Sequence, residues 1–114
     1  MPLRVTEYVR ADGSVPYAAW FDALPAQAAA KIAVARARLE MGNTSAVKWL
    51  GAIGEYRIDW GPGYRIYLAK ERDDIIILLG GGTKRRQQTD IERARILWQE
   101  YKSRKAAQFR QKGR

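Results

Sequence analysis

The chain contains neither cysteine nor histidine. Without cysteine there is no disulfide, no thiolate nucleophile and no thiolate metal ligand, and the cytoplasm is the default expectation for its location. Without histidine, no side chain has an unperturbed pKa near neutrality. That excludes a histidine-pair ribonuclease, a Ser-His-Asp hydrolase and a His-ligated zinc site. Any proton transfer falls to Lys, Arg, Tyr, Asp, Glu, substrate or solvent. Long apolar runs are missing too. Ile75 to Leu79 is flanked by charges and glycines and is far shorter than the roughly 20 residues a membrane-spanning helix needs. Leu3 to Val9 is short and broken by Arg4, Thr6 and Glu7, so no signal peptide is expected. No metal, no cofactor and no membrane partner is expected.

Acid is scarce at one end. The 114 residues carry 21 Lys+Arg against 12 Asp+Glu, a net charge of +9. Residues 101–114 hold Lys102, Arg104, Lys105, Arg110, Lys112 and Arg114 with no acid, which leaves +3 for residues 1–100. Such an electropositive protein favours polyanionic partners, nucleic acid first among them. The length fits a single domain with one buried core. That domain is read as 1–105, with a basic, fraying tail at 106–114.

Along the chain, Leu3 to Val9 alternates as a strand. Ser14 is a candidate N-cap for a short helix with Pro16 in its first turn and Tyr17, Trp20, Phe21 and Leu24 on its apolar face. Pro25 opens an alanine-rich helix to about Met41, with Ala28, Ile32, Ala35 and Leu39 on one stripe. Gly42 and Asn43 stop it. Val47 to Leu50 reads as a short strand carrying Lys48. Ile75 to Leu79 reads as a central strand covered on both faces and ended by Gly80-Gly81-Gly82. A last helix begins between Lys84 and Gln88, with Thr83 as its cap, and runs to about Lys105 on Ile91, Ala94, Leu97, Trp98 and Tyr101. The order predicts an α+β fold: a small, mostly antiparallel twisted sheet, an N-terminal helical hairpin on one face and a C-terminal helix.

The segment Glu55-Tyr56-Arg57-Ile58-Asp59-Trp60-Gly61-Pro62-Gly63-Tyr64-Arg65-Ile66-Tyr67 reads as two strands joined by a tight turn. Tyr56, Ile58 and Trp60 share one face, and Glu55, Arg57 and Asp59 the other. Tyr64, Ile66 and Leu68 share a face, with Arg65 and Tyr67 opposite. The register expected is Trp60 opposite Tyr64, Asp59 opposite Arg65 and Arg57 opposite Tyr67. The polar side would then be a binding surface on an apolar floor. Lys84, Arg85 and Arg86 at the start of the last helix oppose its dipole, and such a breach of local rules marks a candidate functional site. Glycines, free helix N–H groups and three cations together suit a phosphate, although the Walker pattern is absent.

These residues carry a resemblance. The 55–67 segment is similar to the signature of the RelE/ParE toxin superfamily, and best to its HigB-like, phage Gp49-like branch. Gly80-Gly81-Gly82-Thr83-Lys84, Gln87 or Gln88, and Asp90-Ile91 resemble that branch's Gly-Gly-x-Lys…Gln…Asp-Ile segment. The resemblance implies the toxin of a type II toxin–antitoxin module, acting as a ribosome-dependent mRNA endoribonuclease, or alternatively as a ParE-like inhibitor of DNA gyrase. It implies a cognate antitoxin, often of helix-turn-helix type, in a complex that can be a higher oligomer. Arg57, Arg65 and Lys84 occupy the basic positions expected near the reacting phosphate, with Tyr67 and Glu55 as further catalytic candidates. Lys48, Arg85 and Arg86 are candidate nucleic-acid contacts.

Overall fold

The computed structural model describes residues 2–112. Its elements are β1 (Arg4–Glu7), α1 (Pro16–Asp22), α2 (Ala26–Glu40), β2 (Val47–Leu50), β3 (Ile53–Ile58), β4 (Tyr64–Glu71), β5 (Ile75–Thr83), a 3-10 turn (Lys84–Arg86) and α3 (Gln87–Lys112). They form an α+β fold on one five-stranded mixed sheet, ordered β1-β5-β4-β3-β2. β1 runs parallel to β5, and the other three pairings are antiparallel.

Both faces of the sheet are covered, by different helices. On one side Ala28, Ile32, Ala35 and Leu39 of α2 pack with Tyr17 against Tyr56, Tyr64, Ile66, Leu68, Ile76 and Leu78. Their i, i+4, i+7 spacing puts four small or branched side chains on one line, which is why this helix lies close to the strands. On the other side Ala94, Leu97 and Trp98 of α3 pack against Ile53, Tyr67, Ala69, Ile77 and Leu79. The run from Ile76 to Leu79 is buried throughout, because its alternate side chains enter the two cores. α1 packs chiefly on β5, and α2 on β1 and β3, with a smaller contact between the two helices.

Several local expectations are corrected. The strand does not end at the glycines: β5 continues through Gly80, Gly81 and Gly82 to Thr83. Leu79 is an extra residue there, since Leu68 pairs with Leu78 but Tyr67 with Gly80. This bulge resets the alternation, so Gly81 lies beneath Trp20 of α1 and Gly82 beneath Asp90 of α3. A Cβ at Gly81 would sit 2.4 Å from the Trp20 ring, so glycine here makes room for a neighbour rather than a turn. Ser14 is not the cap of α1. Val15 holds that position, and the Ser14 hydroxyl and amide both bond to Asp12. Thr83 makes no side-chain cap bond. The three cations fill the 3-10 turn, and α3 itself starts at Gln87 with Asp90 in its first turn, so the helix dipole does meet an acid. Beyond Lys105 the helix carries on to Lys112, and 113–114 of the basic tail lie outside the described residues.

Candidate functional site

The hairpin closes two residues away from the expected register. Ile58 faces Tyr64, Arg57 faces Arg65, Tyr56 faces Ile66 and Glu55 faces Tyr67. β3 ends at Ile58, and Asp59 to Gly63 form a wider loop held by Gly63 N–H to the Trp60 carbonyl at 3.0 Å. Gly61 and Gly63 have φ of 58° and 79°, which fixes the need for glycine in this turn. A two-residue slip preserves every face assignment. Trp60 still stacks on Tyr64, with centroids 6.2 Å apart, but from the loop rather than as a cross-strand partner. Asp59 is exposed in that loop and makes no ion pair with Arg65.

The polar face is largely buried, which is the main correction to the site. Lys48, Glu55, Tyr67 and Gly80 form one row across β2, β3, β4 and β5, and Arg57, Arg65 and Gly82 form the next. The start of α3 lies over this strip. Glu55 has no exposed surface, Tyr67 is 1% exposed and Arg65 6%. Glu55 is the hub. Its Oε1 accepts the Arg57 Nε–H at 2.8 Å, and its Oε2 accepts the Gln87 amide at 2.9 Å and the Tyr67 hydroxyl at 3.3 Å. Arg65 Nε lies 3.4 Å from Oε2 as an ion pair, without hydrogen-bond geometry. Burial alone would lift the Glu55 carboxyl. The bonds from Arg57 and Gln87 and the Arg65 charge outweigh it and hold the group below the ordinary carboxylate range. Tyr67 moves the other way: burial, then the Glu55 and Asp90 charges, push its phenol well above the usual value.

Lys84 meets this cluster through the turn. Its backbone N–H donates to the Gly63 carbonyl at 2.8 Å. A Cβ built on Gly63 would lie 3.4 Å from Lys84 Cβ and 3.5 Å from Arg65 Nη1. Arg65 and Lys84 therefore flank one glycine, and Arg57 stands opposite Arg65. Three of the five catalytic candidates thus gather at one end of the sheet, where Arg57 and Lys84 are exposed. Glu55 and Tyr67 are brought there too, but beneath the surface. Lys48 shares their face from the edge strand and is exposed, as are Arg85 and Arg86. Two members of the cluster were not singled out as site residues from the sequence: Gln87, which bonds Glu55, and Asp90, whose Oδ2 is buried without a partner. The consecutive glycines were the available signal, because in a strand they mark a close approach. Burial raises the Asp90 carboxyl, partly offset by Arg86 and Arg93. A cavity of about 470 Å3 opens beside it, floored by Gly80 to Thr83, walled by Trp20 and rimmed by Arg86 and Arg93.

No family model matches the chain. A Haemophilus influenzae protein, described as an "Uncharacterized protein", is 39% identical over 75 residues, covering 65% of this chain and 76% of the relative. The chain belongs to that protein's family. The relative's description names no activity, so the chemistry is argued from the side chains alone. Exposed Arg57, braced by the buried Glu55 carboxylate, and exposed Lys84 can hold and neutralise an anionic oxygen, and a phosphate diester fits such a group. The carboxylate itself has both oxygens engaged and meets no solvent, so it positions the arginines. No helix among the described residues is long and apolar enough to cross a membrane.

Proposed function

We propose that this protein is the toxin of a type II toxin–antitoxin module, RelE/ParE-like in its HigB-like branch. In this reading it is a ribosome-dependent mRNA endoribonuclease that acts in the cytoplasm. The observation that carries it is the gathering of Arg57, Arg65 and Lys84 around the Gly61–Gly63 turn. α1 and α2 would correspond to that family's N-terminal helical hairpin. The ribose 2′-OH attacks the adjacent phosphorus. A P–O2′ bond forms as the 2′ proton passes to solvent, the P–O5′ bond breaks, the leaving 5′-oxygen takes up a proton from solvent, and a cyclic phosphate and a 5′-hydroxyl result. Charge builds on the phosphate oxygens, and preorganised cations lower that barrier. The nucleophile is internal to the substrate, so the mechanism calls for no metal or cofactor. Orientation of the mRNA is left to the ribosome. A cognate antitoxin, of helix-turn-helix type, silences the protein by covering the cationic end.

Purified protein in a translation extract should cut mRNA at mapped ends, and Arg57→Ala or Lys84→Ala should slow that cutting by about 100-fold. Intact mRNA with continued translation would refute the proposal. One observation favours a second reading. Glu55 and Tyr67, the acid–base candidates on the ribbon, are both buried, which suits a ParE-like toxin that binds DNA gyrase without chemistry. A supercoiling assay separates the two, since only that toxin inhibits gyrase while leaving mRNA whole.

A further inference from the structure

A second electropositive feature lies at the other end of β4. From Tyr64 beside the candidate site to Glu71, the strand runs about 23 Å at about 3.3 Å per residue. There a groove of about 600 Å3 opens between the β4–β5 turn and the C-terminal half of α3. Five cations line it: Lys70, Arg72, Lys102, Lys105 and Arg110. Its one carboxylate, Glu71, is already taken, by Lys105 at 2.6 Å and by the Tyr101 hydroxyl. Among the described residues, Lys70, Arg72, Lys102 and Arg110 have no ion-pair partner.

The groove is also aromatic. Trp98 and Tyr101 stack at 5.2 Å with planes 10° apart and form its wall. Lys102 Nζ and Lys105 Nζ lie 5.7 and 5.8 Å from those two ring centroids, which pre-positions both cations at the rim. Phe109 is 76% exposed and offers a free ring face. A fold that needed α3 only as a lid would stop the helix where its packing on the sheet stops. Instead the helix continues past Lys105 for about 10 Å, carrying Phe109 and Arg110 over the groove.

We propose that this basic-aromatic groove, between the β4–β5 turn and the C-terminal half of α3, binds single-stranded nucleic acid. Lys70, Arg72, Lys102 and Arg110 follow the phosphates, and Phe109 stacks on a base. Cations tracking a backbone beside an aromatic ring are what single strands need, and stacking on a side chain needs a base free of its duplex. An acidic peptide would use the same cations but would leave Phe109 without a role. The proposal does not depend on catalysis at the Arg57–Lys84 end.

The test uses the full chain and a short, fluorescently labelled 2′-O-methyl RNA, which binds but cannot undergo 2′-OH attack. Anisotropy is followed against salt. Arg72→Glu with Arg110→Glu should weaken binding at least tenfold and lower the salt slope by about 1.4, roughly 0.7 per lost phosphate contact. Phe109→Ala should weaken binding about tenfold without changing the slope. The control, Lys31→Glu with Arg38→Glu, reverses the same charge on α2, across the sheet from the groove, and should lose far less. Equal losses in control and groove variants would show bulk electrostatics and overturn the proposal, as would unchanged binding in the groove variants. A poly-glutamate peptide that binds as tightly as the RNA, with neither ligand affected by Phe109→Ala, would overturn the proposal and assign the groove to an acidic protein instead. Photo-crosslinking of wild-type protein to a 4-thiouridine RNA gives a readout free of any variant's folding. Adducts should fall within 70–72 and 98–110, and their absence there counts against the groove. Loss of mRNA cutting in Arg57→Ala, by contrast, bears only on the first site.

Discussion

Arg57 and Arg65 stand directly opposite each other on β3 and β4, and one carboxylate, that of Glu55, answers both. Like charges on facing residues repel, and this pair is tolerated because a buried anion lies between the two guanidinium groups. The same anion fixes where the arginines point. Arg57 and Arg65 are thus held in place by a protein carboxylate before any ligand arrives.

The brace has a measurable cost of removal. Glu55→Gln leaves the shape nearly unchanged but strips the charge from a fully buried position facing two arginines. Breaking such a pair on one side should cost about 3 kcal/mol in urea unfolding. A loss well below about 1 kcal/mol would mean the arginines are held by something else.

Gly81 is constrained by packing rather than by backbone angle. Gly81→Ala drives a methyl group to 2.4 Å from the Trp20 ring and should destabilise the fold by about 1–3 kcal/mol. Adding Trp20→Leu should recover part of that loss, because the clash is between these two side chains. Additive losses in the double variant would show that the strand, not the contact with α1, is what alanine disturbs.

Asp90 sets a pH-dependent prediction. Its carboxyl is raised by burial, so the folded state binds that proton more tightly than the unfolded chain does. The stabilisation linked to this group is complete below about pH 4 and is lost as pH rises through the folded value. Asp90→Asn removes the penalty and should therefore stabilise the protein at neutral pH by about 1 kcal/mol, with the gain vanishing toward acid. Thermal melts across that range check both the sign and the trend.

At alkaline pH the C-terminal half of α3 is the place to look. The Tyr101 phenol is pushed up to about 12, first by burial and then by its bond to Glu71. Its contribution should be intact below about pH 10 and fade as the pH passes the raised value. Tyr101→Phe should thus cost about 1 kcal/mol at neutral pH and nothing at the alkaline limit. Unfolding curves with parallel pH dependence for the two proteins would contradict this.

Much of the molecule is written in local sequence. The absence of cysteine and histidine, the charge imbalance, the alanine stripe of α2 and the two-residue alternation of the ribbon each follow from residue types and spacing. Alternation fixes which side chains share a face, and it survives a two-residue slip, so the faces of Glu55, Arg57, Arg65 and Tyr67 were legible while their register was not. What lies above a face belongs to distant chain. Only the placement of α3 turned the polar side of the ribbon from a surface into a buried brace, with Gln87 closing on Glu55 from 32 residues away. The glycine run shows the same divide. Locally it reads as a strand end, but the fold uses it as continuous strand because Trp20 and Asp90 need the space a side chain would fill. Side-chain chemistry determines what each residue can do; long-range packing decides whether it meets solvent, substrate or another side chain.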